Sequence, residues 1–173
     1  FFVEALGLLP DSVRGRVVGA ASEDDKATVR NWAEEHGCAD RLSVEGWADR
    51  DEIPSILDRT SVLVFPSLCV ETLGIVGLEA LSRGVPAVAS DVGGVREWCL
   101  DGETGFVVPP KDAAAIADRT RHLLADDGRL RAFGRRGLGK IRERFTPEGH
   151  VDRLQGIYER ACSKELSSTS VHG

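Results

Sequence analysis

Two carboxylates flank the start of one apolar helix in this sequence. Glu71 lies in the loop 66–74, which follows a short β-branched run, and Glu79 lies eight residues later, inside a predicted helix. The free N–H groups at a helix start favour an anion such as a diphosphate, through hydrogen bonds and the helix dipole. A carboxylate accepts hydrogen bonds from vicinal hydroxyls of a ribose or a pyranose. A phosphate group flanked by two polyols is a nucleotide-sugar, and this spacing therefore indicates a site for one.

Either glutamate, taken alone, is typical of an ordinary surface position. Glu79 would be a solvated helix residue, and Glu71 would complement the dipole in the first turn. However, Glu79 lies within the sequence IVGLEAL at 75–81, which is so apolar that most of this helix must be buried. A buried carboxylate is costly without a partner. The pair of carboxylates in this setting favours a ligand-binding role.

The elements that must position these carboxylates follow an alternating pattern. Short β-branched runs alternate with longer amphipathic stretches, which is typical of βαβ units and a parallel sheet. We predict strands at 16–19, 42–45, 62–65, 86–89 and 106–108. We predict a helix at the start of the chain and others at about 23–36, 51–59, 74–83, 94–100, 112–125, 127–143 and 147–165. The fold class is therefore α/β, a Rossmann-like doubly wound parallel sheet flanked by helices, whose ligands bind at the carboxyl ends of the strands.

Four motifs follow one another along the chain in a fixed order. They are Phe65, Pro66 and Ser67 with Glu71, Glu79, Ala80 and Leu81; Gly84, Pro86, Val88, Ala89 and Ser90; Gly93, Gly94, Val95 and Glu97; and Gly102, Thr104, Gly105, Phe106, Val107, Val108 and Pro109. In this order and at these spacings they resemble the C-terminal, donor-binding domain of retaining glycosyltransferases of the GT-B group, family 4. The resemblance runs from the first helix to about residue 160 and implies one half of a GT-B fold.

The resemblance implies roles for both carboxylates. Glu79 would bind the donor ribose, and Glu71 would be the catalytic residue, meeting hydroxyls of the donor sugar near the reacting carbon. Backbone groups of the loop and the helix start would contact the sugar and the diphosphate; these belong to Thr72, Leu73, Gly74 and Ile75.

Three further residues have two interpretations each. Gly93 and Gly94 either line the site or form a turn that needs a positive φ. The family places the base against the loop after the second strand, here 46–50, which contains Trp47. Trp47 is either a stacking platform for the base or a core residue, since an aromatic residue after a strand is often buried.

The implied activity is transfer of a sugar, of hexosyl type, from a nucleotide-sugar to an acceptor with retention of configuration. We expect residues 1–165 to form the nucleotide-sugar-binding domain and 166–173 a disordered tail. The family's first strand, its basic pair, its acceptor domain and its catalytic His are absent, so we expect an inactive fragment that pairs with its own N-terminal domain. Two alternatives are a non-catalytic nucleotide-sugar-binding module and a nucleotide-sugar epimerase or hydrolase of GT-B architecture.

Composition narrows the classes of partner. The net charge of −6 argues against nucleic acid, whose binding depends on many Lys and Arg contacts. We find no apolar run of about 18 residues and no signal-peptide pattern, so we expect a cytoplasmic protein. The resemblance leaves room for peripheral membrane association of the full-length protein.

No metal or cofactor is required by the implied chemistry. His36, His122, His150 and His172 lack metal-ligand spacing, and Cys38, Cys69, Cys99 and Cys162 are predicted to be buried, reduced thiols. The sequence from Gly134 through Gly139 to Lys140 resembles a phosphate-binding loop, but Ile141 replaces the Ser or Thr that would hold Mg²⁺. We therefore interpret that match as chance.

Overall fold

The computed structural model describes residues 1–168, and the side chains of residues 1–162. Its helices are α1 (Phe2–Gly7), α2 (Glu23–Glu35), α3 (Ile53–Leu57), α4 (Ile75–Ser82), α5 (Ala113–Leu124), α6 (Asp127–Arg144) and α7 (Pro147–Ser168). Its strands are β1 (Gly15–Val17), β2 (Leu42–Val44), β3 (Leu63–Phe65), β4 (Ala87–Ser90) and β5 (Gly105–Val108). Each predicted strand lies within one or two residues of an observed one, which confirms the α/β class.

All strand pairs are parallel, as predicted, but the strands form two hydrogen-bonded sheets. β1 pairs with β2, while β3, β4 and β5 form a second sheet in that order. In the described residues β1 and β3 do not pair with each other, so the parallel strands are divided between these two sheets.

A groove of about 1110 Å³ is lined by residues of both β1 and β3. Its walls are largely apolar and include Phe2, Leu6, Val17, Val29, Val62, Val64 and Leu124. The hydroxyl of Thr120, which also lines the groove, is buried and has no hydrogen-bond partner within the described chain. The groove is larger than the pockets of about 300–1,000 Å³ that usually hold small molecules.

The three-stranded sheet is buried on both faces, which explains its continuously apolar strands. Val88 of β4 lies in a core with α1 and α5, whereas its neighbours Ala87 and Ala89 lie in a second core with α4 and Trp98. Successive strand residues point to opposite faces, so the two clusters occupy the two sides of the sheet. Helices therefore cover both faces, as a doubly wound domain requires.

Glycines fix the packing of α6 behind α4. Gly84 follows α4 with a φ of 73°, the left-handed conformation that commonly ends a helix at a glycine. A Cβ at Gly134 would lie 2.0 Å from the Gly84 carbonyl oxygen, so only glycine permits this approach. Gly134, Gly139 and Lys140 all lie within α6, which agrees with interpreting the phosphate-loop match as chance.

Several predictions need correction. The helix expected at 94–100 is a 3₁₀ turn, Gly93–Glu97. Cys38 and Cys99 are buried as predicted, and burial raises the pKa of the Cys99 thiol to about 12, but Cys69 and Cys162 are exposed. The reason is local: Cys69 lies in the loop after β3, and Cys162 lies on the outer surface of α7.

The C-terminal helix is longer than expected. α7 continues to Ser168, past the predicted boundary at 165, and the remainder of the predicted tail, 169–173, lies outside the described residues. Over the described part of the chain, every helix is either too short or too polar to cross a membrane.

Candidate functional site

The loop after β3 leads into the N-terminus of α4, where several backbone N–H groups have no hydrogen-bond acceptor in the described residues. Gly74 caps α4 with a φ of 78°, a conformation that favours glycine, and no side chain caps the helix. Among the described residues, none accepts a hydrogen bond from the N–H groups of Thr72, Leu73, Gly74, Ile75 or Val76. Such a row of free donors at the positive end of a helix suits an anion.

Glu71 is half-buried at the edge of this loop, and its carboxylate is held in place. The Ser67 hydroxyl donates a hydrogen bond of 2.9 Å to Glu71 Oε1. The second carboxylate oxygen has no partner within the described residues. Glu71 is thus oriented by Ser67 and retains acceptor capacity for a ligand hydroxyl.

Glu79 lies on α4 and is also half-buried. Gly77, Ala80 and Leu81 of the same helix are buried, although Ile75 at its start is 67% exposed. No group in the described part of the chain donates a hydrogen bond or an ion pair to the Glu79 carboxylate. Partial burial of an unpartnered carboxylate is unfavourable, which supports a ligand-binding role for Glu79.

Gly93 and Gly94 pack directly against the loop that carries Glu71. The Gly94 N–H donates to the Glu71 carbonyl oxygen at 2.8 Å. A Cβ at Gly93 would lie 2.0 Å from that oxygen, and one at Gly94 would lie 2.2 Å from the Thr72 carbonyl oxygen. Gly93 has the positive φ, 51°, that one sequence interpretation required. Both glycines therefore position the loop by close backbone contact, a reason that sequence reasoning missed.

Adding a methyl group at Gly94 is expected to displace the Glu71 loop. Gly94→Ala would drive its Cβ into the Thr72 carbonyl and lower stability by about 1–3 kcal/mol, the usual cost of overpacking. Gly139→Ala is the matched control, because nothing lies within 4 Å of a Cβ at this helical position. It should be neutral or stabilising by about 1 kcal/mol. Urea unfolding of both variants measures the difference, and equal stabilities would contradict the close-contact role.

Trp98 is a site-supporting residue that sequence reasoning did not identify. Its side chain is only 1% exposed, and its indole N–H donates to the Leu73 carbonyl oxygen at 2.5 Å. The ring meets Phe65 edge-on, with 5.9 Å between ring centroids. The available signal was an aromatic residue soon after Gly94, but only the fold shows that it reaches the loop.

Trp47 is not a core residue. It is 74% exposed in the loop after β2, so the buried interpretation is wrong, and its role as a base platform stays a prediction. The loops after β1 and β2 are joined by a hydrogen bond of 3.1 Å from the Gly19 N–H to the Gly46 carbonyl oxygen. In the described residues, no hydrogen bond or ring contact links Trp47 to Glu71 or Glu79.

The cation nearest to the glycine turn in sequence is already engaged. Arg96 donates two hydrogen bonds of 2.7 Å to the Asp91 carboxylate. This contact lowers the pKa of Asp91 below its ordinary value. Across the part of the chain that the structure describes, no three His, Cys, Asp or Glu side chains converge as a metal site would require. Arg96 is thus already paired with a carboxylate, whereas the backbone N–H groups at the start of α4 have no acceptor in the described residues.

The fold and the site define a Rossmann-like α/β domain with a helix N-terminus between two carboxylates. Residues 2–139 match the family model described as glycosyl transferases group 1. The match covers most of the chain, and the chain belongs to this family.

Over the aligned regions, about a third of the residues of this chain are identical in curated relatives. A D-inositol 3-phosphate glycosyltransferase from Xylanimonas cellulosilytica is 35% identical over 164 residues, covering 94% of this chain and 39% of the relative. An alpha-D-kanosaminyltransferase from Streptomyces kanamyceticus is 34% identical over 122 residues, covering 70% of this chain and 31% of the relative. The chain thus spans between about a third and two fifths of the length of these relatives.

Solved structures show the same fold. The Anabaena protein HepE, in complex with UDP and glucose, superposes with a TM-score of 0.80 at 24% identity, covering 94% of this chain and 44% of HepE. The C-terminal domain of a Francisella tularensis group 1 glycosyl transferase superposes with a TM-score of 0.75 at 25% identity, covering 84% of this chain and 78% of that domain. The predicted GT-B half is therefore confirmed as a fold.

Proposed function

We propose that this chain is the donor-binding domain of a family 4 glycosyltransferase that moves a hexosyl group from a nucleoside diphosphate sugar to an acceptor with retention. The observation that carries the proposal is the row of unengaged N–H groups at the start of α4, flanked by Glu71 and Glu79. The UDP and UDP-glucose complexes of the structural neighbour HepE support a nucleotide-sugar as the ligand.

In the proposed site, each part of the nucleotide-sugar donor is bound by different residues. Glu79 accepts hydrogen bonds from the ribose, and Trp47 stacks on the base. Backbone groups of Thr72, Leu73, Gly74 and Ile75 meet the diphosphate and the sugar. Glu71 orients the sugar and stabilises positive charge that develops at the anomeric carbon, while the α4 N-terminus stabilises the leaving diphosphate.

The proposed chemistry uses no metal or other cofactor. The diphosphate charge is met by backbone donors, by the dipole of α4 and by basic residues outside this sequence. The partners are the nucleotide-sugar and the acceptor domain, with no nucleic acid. We place the protein in the cytoplasm, with peripheral membrane association of the full-length enzyme.

Two surfaces of this chain could bind other parts of the full-length protein. The groove lined by β1 and β3 lies between two unpaired strand edges, one from each sheet. A further strand that precedes α1 and connects to β1 by a right-handed crossover would lie parallel to both β1 and β3. α7 exposes apolar side chains, among them Val151, Ile157 and Tyr158 at 58%, 52% and 65%. We propose that the first surface receives a further strand and that the second contacts the acceptor domain.

A ligand screen of the full-length protein tests the proposed function. UDP, GDP, ADP and dTDP, each with and without an attached sugar, are added in turn while thermal unfolding is measured. Binding to the folded state raises the unfolding temperature in proportion to the logarithm of ligand concentration. The proposal expects one base to give a clear shift. Product analysis with and without acceptor then separates transfer from epimerisation, hydrolysis and simple binding.

The 173-residue chain alone is expected to fold, to bind nucleotide weakly and to transfer no sugar. Transfer needs an acceptor held against the anomeric carbon, which requires groups from a second domain. Calorimetry compares this chain with one extended at its N-terminus to include the further strand and its basic residues. Equally tight nucleotide binding by both chains, or acceptor-dependent turnover by the shorter one, would contradict this expectation.

A further inference from the structure

The side chain of Trp98 fills a space that α4 leaves for it. A Cβ at Gly77, in the middle of α4, would lie 2.3 Å from Trp98 Cζ2 and 2.4 Å from Cη2. Glycine weakens a helix interior, because it has more backbone freedom to lose on folding than any other residue. Its presence here is explained by the indole ring, which packs directly against the helix backbone.

The backbone of Trp98 is held by Thr104, the residue just before β5. The hydroxyl of Thr104, which is fully buried, donates to the Trp98 carbonyl oxygen at 3.0 Å and accepts from the Leu100 N–H at 2.9 Å. Phe65, at the end of β3, meets the ring edge-on. The indole ring thus contacts Phe65 of β3 and Gly77 of α4, while Thr104 holds the main chain of Trp98.

The indole N–H determines how the peptide at the start of α4 is oriented. It binds the Leu73 carbonyl oxygen at 2.5 Å. In a planar trans peptide the carbonyl and the following N–H point in opposite directions. Holding the Leu73 carbonyl against Trp98 therefore turns the Gly74 N–H away from the indole.

A second tether acts on the same loop in the same way. The Gly94 N–H binds the Glu71 carbonyl oxygen at 2.8 Å, which turns the Thr72 N–H away from Gly94. Gly94 and Trp98 belong to one short segment, the 3₁₀ turn Gly93–Glu97 and the residue after it. Two carbonyls thus face this segment, and two unengaged N–H groups face the other way.

We propose that Trp98, seated on Gly77, is a positioning residue that holds the Gly74 N–H toward the donor diphosphate. The inference rests on the proposed function for its ligand. Trp98 acts through the Leu73 peptide and touches no substrate itself. Its effect is to order the anion-binding donors before the ligand arrives, so that less ordering accompanies binding.

The test compares four forms of the full-length protein by two measurements. Trp98→Phe removes the N–H, and β-(3-benzothienyl)alanine at position 98 keeps the ring size and replaces the N–H with sulfur. Trp32→Phe is the matched control, because Trp32 is 50% exposed on α2. The first measurement, without ligand, is amide hydrogen exchange at Gly77 and Gly94, whose N–H groups bind the Gly74 and Glu71 carbonyl oxygens of this loop at 2.9 and 2.8 Å. The second is calorimetric affinity for UDP, GDP, ADP and dTDP, and for the corresponding nucleosides.

Both changes at position 98 should speed exchange at Gly77 and Gly94 about tenfold or more, because a loosened loop breaks these hydrogen bonds more often. They should also weaken diphosphate binding about tenfold. Nucleoside affinity should change less than threefold, because the tether acts on the phosphate donors. Trp32→Phe should alter neither measurement. Unchanged exchange in the benzothienyl form, or equal losses for nucleoside and diphosphate, would overturn the inference.

The two proposals fail in different ways. If the changes at position 98 speed exchange at Gly77 and Gly94 but the wild-type protein binds none of the four nucleoside diphosphates, the proposed function and the assigned ligand are refuted and the loop tether stands. Normal diphosphate binding by wild type and by the benzothienyl form alike would refute the positioning role and leave the proposed function intact.

Discussion

Replacing Glu79 with alanine in the full-length protein is expected to weaken nucleotide binding roughly 10- to 150-fold. The carboxylate lies half-buried on α4 with no partner in the described part of the chain, and its proposed partners are the ribose hydroxyls. A hydrogen bond to a charged group contributes about 1.5–3 kcal/mol, which corresponds to that range of affinity. Isothermal calorimetry with the best nucleoside diphosphate measures the change.

Glu35→Ala serves as the control for Glu79→Ala. Glu35 is an exposed glutamate at the end of α2, far from the α4 N-terminus in sequence. It should leave nucleotide affinity unchanged. Equal nucleotide affinities for wild type, Glu35→Ala and Glu79→Ala would refute the assignment of Glu79 to the ribose.

Replacing Glu71 with glutamine is expected to lower turnover of the full-length enzyme by about 10²–10³, the cost of losing one preorganised electrostatic group. Affinity for the free nucleoside diphosphate should fall much less, because Glu71 precedes α4 and is assigned to the sugar. Steady-state kinetics with the donor sugar, together with calorimetry for the diphosphate, separates the two effects.

Ser67→Ala is a milder variant to compare with Glu71→Gln. The Ser67 hydroxyl donates to Glu71 Oε1 at 2.9 Å, so its loss should loosen the carboxylate without removing its charge. We expect a smaller loss of turnover than for Glu71→Gln. If Glu71→Gln instead weakened nucleoside diphosphate binding strongly and spared turnover, the roles of Glu71 and Glu79 would be exchanged.

Most of the fold follows from local sequence patterns. Fully buried parallel strands need continuous apolar runs, and 62–65, 86–89 and 106–108 supply them. The breakers at Gly84 and Pro86 mark the end of α4 and the start of β4. The loop after β3 could be selected as a candidate ligand site because parallel strands present their carboxyl ends at one edge.

The supporting contacts of the site were not predictable in the same way. Gly94 and Gly77 are glycines because a backbone carbonyl and an indole ring occupy the space of a side chain, and such clearances depend on tertiary packing. Trp98 reaches Leu73 across 25 residues of sequence. The exposure of Trp47 likewise depends on the path of the loop after β2, which hydrophobic periodicity does not predict.

The division of the strands into two sheets could not be predicted from local sequence patterns either. Strand runs identify β1 and β3, but pairing depends on which strands lie beside each other in space. The groove lined by both strands interrupts the sheet at this point. Sequence periodicity says where strands are and leaves their neighbours open.

Chemical-shift mapping on the isotope-labelled 173-residue chain tests the central claim most directly. UDP, GDP, ADP and dTDP sugars are titrated to millimolar concentration, because weak binding is expected. We expect one base series to shift the amides of Thr72, Leu73, Gly74, Ile75 and Val76 and that of Glu79, and we expect Glu79→Ala to reduce those shifts. Shifts confined to other parts of the chain, or none at residues 72–76 with any of the four series, would contradict a nucleotide-sugar site at the start of α4.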